Sequence, residues 1–293
     1  MELLEYALIG GVLFGLYFAL VGLGLNLIFG VMQIVNLAHG DLIMLGAFGA
    51  YWVFHLWGLS PMVGIPLEFL GFMLLGIPLY YLLVPRLLGT RDPEMLSFIL
   101  FFGVSQMIEA AATLGFGSSQ RSLPLATLGV GNVRILGQAF PKAWAVSAGV
   151  GVAAILALYV YFYRTRYGCA TRAVMADRDE ARTTGINVHW ISAVALALGF
   201  ALAGLAGVFA PYMIGSVNPS VGVNLTTISF AIVVIGSLGN PLGTIIGGLV
   251  YGIALMLMET YFPSWSTLVP YLLLILIMLV KPAGLLGHQV RRA

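Results

Sequence analysis

Apolar residues run along this chain in long blocks, interrupted by charges or by clusters of glycine and proline. A helix needs about 20 apolar residues to cross a bilayer core about 30 Å thick. The longest block, from Ile191 to Met258, contains no Asp, Glu, Lys or Arg and has room for about three crossings. We therefore predict an all-α fold, a polytopic transmembrane bundle of about eight or nine spans in a single domain of residues 1–293. The predicted spans are 6–29, 37–57, 62–84, 94–116, 142–163, 191–214, 225–238, 242–260 and 266–281.

The composition supports the same interpretation. Hydrophobic residues make up 60% of the 293 residues and charged residues only 8%, with a mean hydropathy of +1.02. A soluble domain would need a polar surface, and a membrane β-barrel would need segments of about ten residues that alternate apolar and polar. The first 29 residues lack the basic region of a cleaved signal, so we expect a retained helix. A single cysteine, Cys169, excludes an intrachain disulfide.

The cations predict the orientation of the chain, because Lys and Arg are enriched in cytoplasmic loops. Ten of the 13 cations fall in the segment 85–94, in the loop 164–190 or in the C-terminal tail. Placing these segments inside puts the N-terminus outside and the C-terminus in the cytoplasm. The segment 117–141 then becomes the large outer loop. The cations assigned to the inside are Arg86, Arg91, Arg164, Arg166, Arg172, Arg178, Arg182, Lys281, Arg291 and Arg292.

Two segments interrupt the simple pattern of spans. The uncharged run from Tyr6 to Gly40 is too long for one crossing, and the sequence SLGNPLG at 237–243 places a proline within an apolar block. Discontinuous helices survive at membrane depth where protein or a water-filled cavity satisfies the freed backbone, so we expect them to mark a pathway. The letters VNL occur at 35–37 and again at 223–225, at the start of runs that are predicted to cross in opposite directions. This echo suggests a weak inverted repeat.

Polar side chains cluster in the stretch VNLAHGDLIML, residues 35–45. Ionisable residues inside a membrane are functional candidates. Asn36, His39 and Asp41, together with Asn224 of the second VNL, are therefore predicted to line a substrate pathway, where they would meet an ammonium group, a carboxylate or water. In the alternative interpretation Asp41 only caps the helix that follows Gly40, and His39 bonds a neighbouring carbonyl near the inner surface.

The loop 164–190 contains a predicted short helix, from about Arg178 to Thr184. Asp177 and Glu180 have the spacing of a capping box, and Gly185 supplies a helix stop. A helix this short is not stable alone, so it should be docked on the membrane domain or on a separate subunit. The alternative is a solvated loop whose arginines only set the topology.

Five motifs in order resemble the inner-membrane permeases of branched-chain amino-acid ABC importers, specifically the type with the shorter chain. They cover nearly the whole chain: NLAHGDLIMLGA from residue 36, MADRDEARTTGIN from 175, VNPSVG at 217–222, IGSLGNPLGTIIGG at 235–248 and KPAGLLG at 281–287.

The resemblance implies partners that composition does not reveal. Cytoplasmic ATP-binding subunits would hold the short inner helix in a cleft, a periplasmic substrate-binding protein would deliver the substrate, and a second permease, identical or related, would share the pathway. Coupling to the ATPase subunit would involve Asp177, Arg178, Asp179, Glu180, Arg182 and Gly185. The chain would lie in a bacterial inner membrane and move a small amino acid by alternating access.

The chain has no phosphate-binding loop of the form G-x-x-x-x-G-K-[ST], so we expect no ATP hydrolysis by that route and no enzymatic activity of its own. No cofactor is expected. No metal is expected, since His55, His189 and His288 stand singly, and no nucleic acid, since the chain lacks a basic surface interleaved with aromatic residues. Two departures from the family pattern, Tyr80 with Tyr81 and then Glu109, leave the substrate open. Urea, short amides or aromatic acids are alternatives, as is a self-sufficient, ion-coupled secondary transporter that uses Glu68 or Glu109.

Overall fold

Within residues 2–287, which the computed structural model describes, the chain forms eleven α-helices and one small hairpin. His288, Arg291 and Arg292 lie outside the described residues. The helices are α1 (Glu2–Met32), α2 (His39–Trp57), α3 (Pro61–Leu88), α4 (Pro93–Phe116), α5 (Lys142–Arg164), α6 (Arg166–Ala176), α7 (Arg178–Thr183), α8 (Val188–Met213), α9 (Val221–Gly236), α10 (Pro241–Tyr261) and α11 (Val269–Val280). The antiparallel hairpin joins β1 (Asn132–Ile135) to β2 (Gln138–Pro141).

The predicted spans coincide with nine of these helices, which confirms the polytopic helical bundle. Seven segments are long and apolar enough to cross a membrane by length and composition, one of them being the 3₁₀ helix Pro263–Leu268 joined to α11. The other two are α2, with His39 and Asp41 in its first turn, and α9, with 16 residues. The two helices that do not meet these span criteria, α2 and α9, each follow a segment that begins with Val-Asn, at residues 35–36 and 217–218.

Helices α1 and α8 form the centre of the bundle. In the most apolar window of each, 83% and 89% of the residues are buried, whereas the values are 22% for α4 and 11% for the segment that contains α11. In a soluble protein, a helix that is apolar on all sides is buried in the core. In a membrane protein, such a helix can also face lipid. The exposed Leu, Phe and Ile side chains of α3, α4 and α11 are therefore the lipid-facing or partner-facing surface.

Small residues allow the central helices to approach closely. A Cβ added at Gly11 or Gly15 of α1 would lie 2.6 or 2.7 Å from a Cα atom of α10. On the other side of the bundle, a Cβ at Gly207 of α8 would lie 2.2 Å from the carbonyl oxygen of Ile43 in α2. Gly11 and Gly15, four residues apart, thus form a surface on which another helix packs closely.

The helix contacts can be compared between the two halves of the chain. The most extensive contact is that of α1 with α10, and the next is that of α8 with α3, while α2 and α9 lie against each other. If α1, α2 and α3 correspond to α8, α9 and α10, the first contact corresponds to the second and the third to itself. This is the pairing that an inverted repeat would produce, and the repeat itself stays a prediction.

The sequence register predicted for this repeat was wrong. VNL at 223–225 lies inside α9, whereas VNL at 35–37 lies before α2. The segment that directly precedes α9 begins with Val217 and Asn218, and Gly222 stands where Gly40 stands in the first repeat. The shared pattern is therefore V-N-x-x-x-G at 35–40 and 217–222, which the shorter match at 223 obscured.

Predicted inner and outer segments gather at opposite ends of the bundle. At one end, Leu285 and Leu286 donate backbone hydrogen bonds to the carbonyls of Ile235 and Gly236, and Met175 of α6 packs on Gly30 of α1. At the other end, the segment 117–141 pairs with the end of α8 through Arg121 and Val217 and stacks on the start of α1. The lengths of the spans, and their crossing in alternate directions, are consistent with this separation of inner and outer segments.

Two local elements were not predicted. Helix α6 occupies 166–176, where the charges had suggested only a loop. Thr165 caps it by accepting a hydrogen bond from the Gly168 amide. Its own residues Thr171 and Val174 are buried. The hairpin of β1 and β2 lies in the outer segment, where Phe140 is buried against Tyr6 and Trp144.

Candidate functional site

The starts of α2 and α9 meet in the interior of the bundle. The Gly40 amide donates to Thr226 Oγ1 (2.9 Å), and that hydroxyl donates to the Leu37 carbonyl (3.0 Å). A Cβ at Gly40 would lie 2.0 Å from the carbonyl oxygen of Gly222. Only glycine fits here, because the two backbones are in direct contact. The freed backbone groups of one helix start are thus satisfied by the other repeat, as a discontinuous helix requires.

Asn36, His39 and Asp41 are all fully buried at this junction. The Asn36 Oδ1 accepts from the Ala38 amide (3.1 Å), and His39 Nε2 is 3.0 Å from the carbonyl oxygen of Val21. The suggestion that Asp41 caps α2 is wrong, since the N-cap position is Ala38 and the Gly40 amide at the helix start is bonded by Thr226 instead. The helix begins two residues before Asp41, which places the carboxyl group inside the first turn against Gly222.

Unpartnered polar atoms concentrate at the same junction. Among the described residues, seven buried side-chain nitrogen or oxygen atoms have no hydrogen-bond partner, and four of them are Asn36 Nδ2, His39 Nδ1 and both oxygens of Asp41. Ser105 and Glu109 of α4 lie near enough to influence the Asp41 carboxyl group. Buried polar groups are normally paired, so unsatisfied ones in a native fold point to a functional partner such as water, an ion or a substrate.

A large cavity opens beside this junction towards the predicted outer end. Its volume is about 770 Å³, within the usual range for small-molecule sites. Asn224, Thr227 and Ile228 of α9 form one wall. Thr226, in the same turn of α9, faces Gly40 instead. One helix therefore separates the cavity from the polar junction, and Asn224 is the predicted pathway residue that lines it.

Two further cavities do not reach the polar junction. A cavity of about 470 Å³ at the predicted inner end is bounded by α1, α5, α6 and the start of α10. A smaller one of about 220 Å³, between α2, α3, α4 and α8, is lined by apolar residues, among them Ala38 and Leu42. Asn36, His39 and Asp41 line none of the three cavities. Their contact with a substrate stays a prediction.

The short inner helix α7 forms as expected. Asp177 is its N-cap, and one carboxylate oxygen accepts from the amides of Asp179 (2.8 Å) and Glu180 (2.9 Å). Gly185 has a φ of +85° just beyond its end, a conformation that favours glycine. The capping box is incomplete, since the Asp177 amide donates to Ala173 of α6 and not to Glu180. Asp179, Glu180 and Arg182 all face outwards.

Arg178 points from α7 into the membrane domain. Its guanidinium donates to the carbonyl of Val31 in the last turn of α1 (3.0 Å) and to Ser192 Oγ in α8 (3.5 Å). Burial lowers the pKa of Arg178, and the neighbouring Tyr80 acts in the opposite direction. An arginine remains charged in proteins, so it holds an open carbonyl at a helix C-terminus. This inward direction could not be read from the sequence, since Arg178 and Arg182 look alike there.

Two other polar features lie outside the predicted site. A hydrogen bond of 3.0 Å joins the Tyr80 hydroxyl to His189 Nδ1 beside Arg178. This contact involves one of the two tyrosines that depart from the family pattern. Glu68 of α3 is buried against Gly49, and neither of its carboxylate oxygens has a hydrogen-bond partner.

Comparisons with known proteins place this architecture in a family. The family model described as the permease component of the branched-chain amino acid transport system matches residues 7–278. The chain belongs to this permease family. That match overlaps every transmembrane segment and includes both polar regions described above. Since the family is defined as a membrane component of a transport system, the chain is a transport subunit that resides in a membrane.

Several permeases with curated names are similar over nearly their full length. The high-affinity branched-chain amino acid transport system permease protein LivH of Salmonella typhimurium is 29% identical over 291 residues, which cover 95% of this chain and 94% of LivH. LivH of Escherichia coli K12 has the same identity and coverage. BraD of Pseudomonas aeruginosa, with the same descriptive name, is 27% identical over 297 residues, 96% of this chain and 95% of BraD. No solved structure gives a significant match.

Proposed function

We propose that this permease forms half of the membrane core of an ATP-driven importer for a small, branched-chain amino acid. ATP would be hydrolysed in cytoplasmic partner subunits, and the chain itself would not be an enzyme. A second permease would complete the core, and a periplasmic substrate-binding protein would supply the substrate. The substrate assignment is supported by the similar permeases, which are named as branched-chain amino acid transport proteins.

The observation that carries this proposal is the capped helix α7. It exposes Asp179, Glu180 and Arg182 at the end of the bundle where the other cation-rich segments gather. Through Arg178 it is tied to α1 just before the break that leads into α2. A secondary transporter has no need for an exposed helix anchored in this way. In an importer, a partner subunit that moves α7 would move the end of α1 and, through it, the junction of α2 and α9.

The orientation follows from the same assignment. With α6, α7 and Lys281 at the cytoplasmic side of a bacterial inner membrane, the N-terminus of α1 lies outside. The hairpin and the cavity that contains Asn224 then face the periplasm. Alternating access would connect this cavity with the inner side by separating the starts of α2 and α9. Asn36, His39 and Asp41 would then become exposed to substrate or water.

Copurification and uptake test the proposal together. A tagged chain extracted from its native membrane in mild detergent should bring ATP-binding subunits with it. Uptake of L-leucine into vesicles should stop when ATP hydrolysis is inhibited and continue when the ion gradient is collapsed. The opposite pattern, with no copurified ATPase, would replace the proposal with a secondary transporter.

A self-sufficient secondary transporter is the second candidate, since the buried and unpartnered carboxyl groups of Glu68 and Asp41 could carry a coupling ion. Replacing Glu68 by Gln separates the two mechanisms. Uptake driven by ATP should be retained in this variant, whereas ion-coupled uptake through Glu68 would be lost.

A further inference from the structure

The outer cavity contains one charged group. Among its lining residues Glu259 alone carries a charge, near the C-terminal end of α10. The same cavity is lined by Asn224 and Thr227 of α9 and by Ser266 and Thr267 of the 3₁₀ helix that follows α10. A negative charge, neutral hydrogen-bonding groups and apolar side chains thus line the same open cavity.

Structural roles do not account for Glu259. The negative end of a helix dipole disfavours a carboxylate at a helix C-terminus. The salt bridge found among residues 2–287 joins Arg182 to Asp179 at the other end of the molecule, and none involves Glu259. No hydrogen bond of its side chain is present among those of the described residues either. Glu259 is exposed, and its carboxylate has no protein partner among the described residues, so it is free to bind a ligand in the cavity.

The rest of the cavity suits an ammonium group attached to an apolar body. Phe14, Phe18, Trp144, Tyr212, Tyr251 and Tyr271 contribute aromatic rings to the lining. Such rings attract cations through their faces and also accept apolar side chains. No Lys or Arg lines the cavity, so a substrate carboxylate would meet only neutral donors such as the Asn224 amide. A ligand with a carboxylate but no ammonium would be repelled by Glu259.

We propose that Glu259 binds the ammonium group of the substrate in the outer cavity and so selects amino acids over neutral amides and simple carboxylic acids. This inference rests on the proposed importer function and deepens it. It decides against urea and short amides as the main cargo, because these lack an ammonium group.

Transport by the complete complex tests this role. Wild type, Glu259→Gln, Glu259→Asp and Glu5→Gln are reconstituted with their partner subunits in proteoliposomes, with L-leucine and urea as probes. Glu5 is an exposed carboxylate in the first turn of α1 and serves as the matched control. Loss of a charge-assisted hydrogen bond should lower leucine uptake by Glu259→Gln at least about tenfold. Glu259→Asp should recover part of it, and Glu5→Gln should match wild type.

The possible outcomes separate the two proposals. If Glu259→Gln imports leucine at the wild-type rate, the role of Glu259 is wrong while the importer function stands. If wild type imports urea and not leucine, the ammonium site is also wrong, although the chain remains a permease. If no ATP-dependent uptake of either probe occurs, both proposals fail. Membrane abundance and copurified ATPase are measured for each variant, so that a loss of assembly is not taken for a loss of binding.

A second measurement does not depend on the variants. Wild-type complex, purified without the substrate-binding protein, is heated in the presence of millimolar L-leucine, L-leucinol or 4-methylpentanoate. Leucinol keeps the ammonium group and lacks the carboxylate, and 4-methylpentanoate is the reverse. Stabilisation by leucine and leucinol alone is expected. Equal stabilisation by 4-methylpentanoate, or none by any compound, would overturn the ammonium site.

Discussion

Asp177 and Asp41 both lie at helix starts, but their surroundings differ completely. Asp177 is exposed, and its carboxylate is satisfied by two amides of α7. Asp41 is fully buried in the first turn of α2, and neither of its oxygens has a partner. A satisfied and exposed carboxylate builds local structure, whereas a buried and unsatisfied one adds a cost that the fold must offset elsewhere. In the proposed mechanism, the first would belong to the part of the permease that docks on a partner and the second to the part that opens.

The largest effect is expected where the two repeats touch. Gly40→Ala would place a methyl group 2.0 Å from the Gly222 carbonyl oxygen and 2.3 Å from the Thr226 amide nitrogen, both of which belong to backbone. Such overpacking should destabilise the fold by about 3 kcal/mol or more. The yield of monodisperse protein after detergent extraction should therefore fall sharply.

Gly71→Ala is the matched control for this change, because nothing lies within 4 Å of a Cβ at Gly71 in α3. That variant should be as stable as wild type or slightly more stable. Equal yields and unfolding temperatures for the two variants would show that the starts of α2 and α9 are not in close contact.

The next effect concerns Asp41. Asp41→Ala should lower uptake by about tenfold or more, on the expectation that an intramembrane carboxyl group serves the pathway. Assembly with the ATPase subunits should stay unchanged, since α7 is unaffected. Uptake and copurified ATPase are measured on the same preparations. A parallel fall in both would mean that Asp41 only supports the fold.

Reversing a charge on the exposed surface of α7 should uncouple transport without unfolding the chain. Glu180→Lys places a cation in the first turn, where the helix dipole disfavours it by about 0.3–1 kcal/mol. It also changes the surface offered to the partner. Substrate-stimulated ATP hydrolysis and uptake should both fall, while membrane abundance stays near wild type.

Gly185→Val tests the same segment through the backbone. The φ of +85° at Gly185 strains any other residue by roughly 1–2 kcal/mol, although the space around it is open. Uptake should fall as it does in Glu180→Lys. Normal uptake in both variants would remove α7 from the coupling mechanism.

The last comparison distinguishes two arginines of α7, and Arg182→Ala has the smallest effect expected of any variant. Arg178→Ala removes the hydrogen bond to the Val31 carbonyl and should lower stability by about 1–3 kcal/mol. Arg182→Ala removes an exposed contact to Asp179 at 3.9 Å, which should contribute about 0–1 kcal/mol. Thermal unfolding of both variants in the same detergent gives the difference. Equal values would mean that Arg178 does not anchor α7 to the membrane domain.

Local patterns in the sequence predict much of this fold. Long apolar blocks give the spans because a bilayer imposes their length and leaves few other ways to satisfy the backbone. Asp177 and Gly185 locate α7 because capping depends on residues within one turn. The polar cluster around Asp41 could also be found, since such residues are rare in apolar blocks.

Features that depend on contacts between distant segments could not be predicted. The partner of Gly40 is Gly222, and nothing in the VNL echo at 223 indicates that the true match begins at Val217. The role of Asp41 as a possible cap was wrong because α2 begins earlier, where its start is held by Thr226. Arg178 turns inwards because the open end of α1 lies beside α7. Glu259 belongs to a cavity that needs α1, α9 and α10 together.

Site-specific crosslinking from α7 tests the central claim most directly. A photo-reactive amino acid is placed at Glu180 in the native membrane, and at Val130 in the outer segment as the control, where the side chain is 84% exposed. The account predicts a crosslink from position 180 to an ATP-binding subunit that changes in yield when ATP is hydrolysed, and none from position 130. Crosslinks from position 180 only to lipid or to periplasmic protein would contradict it.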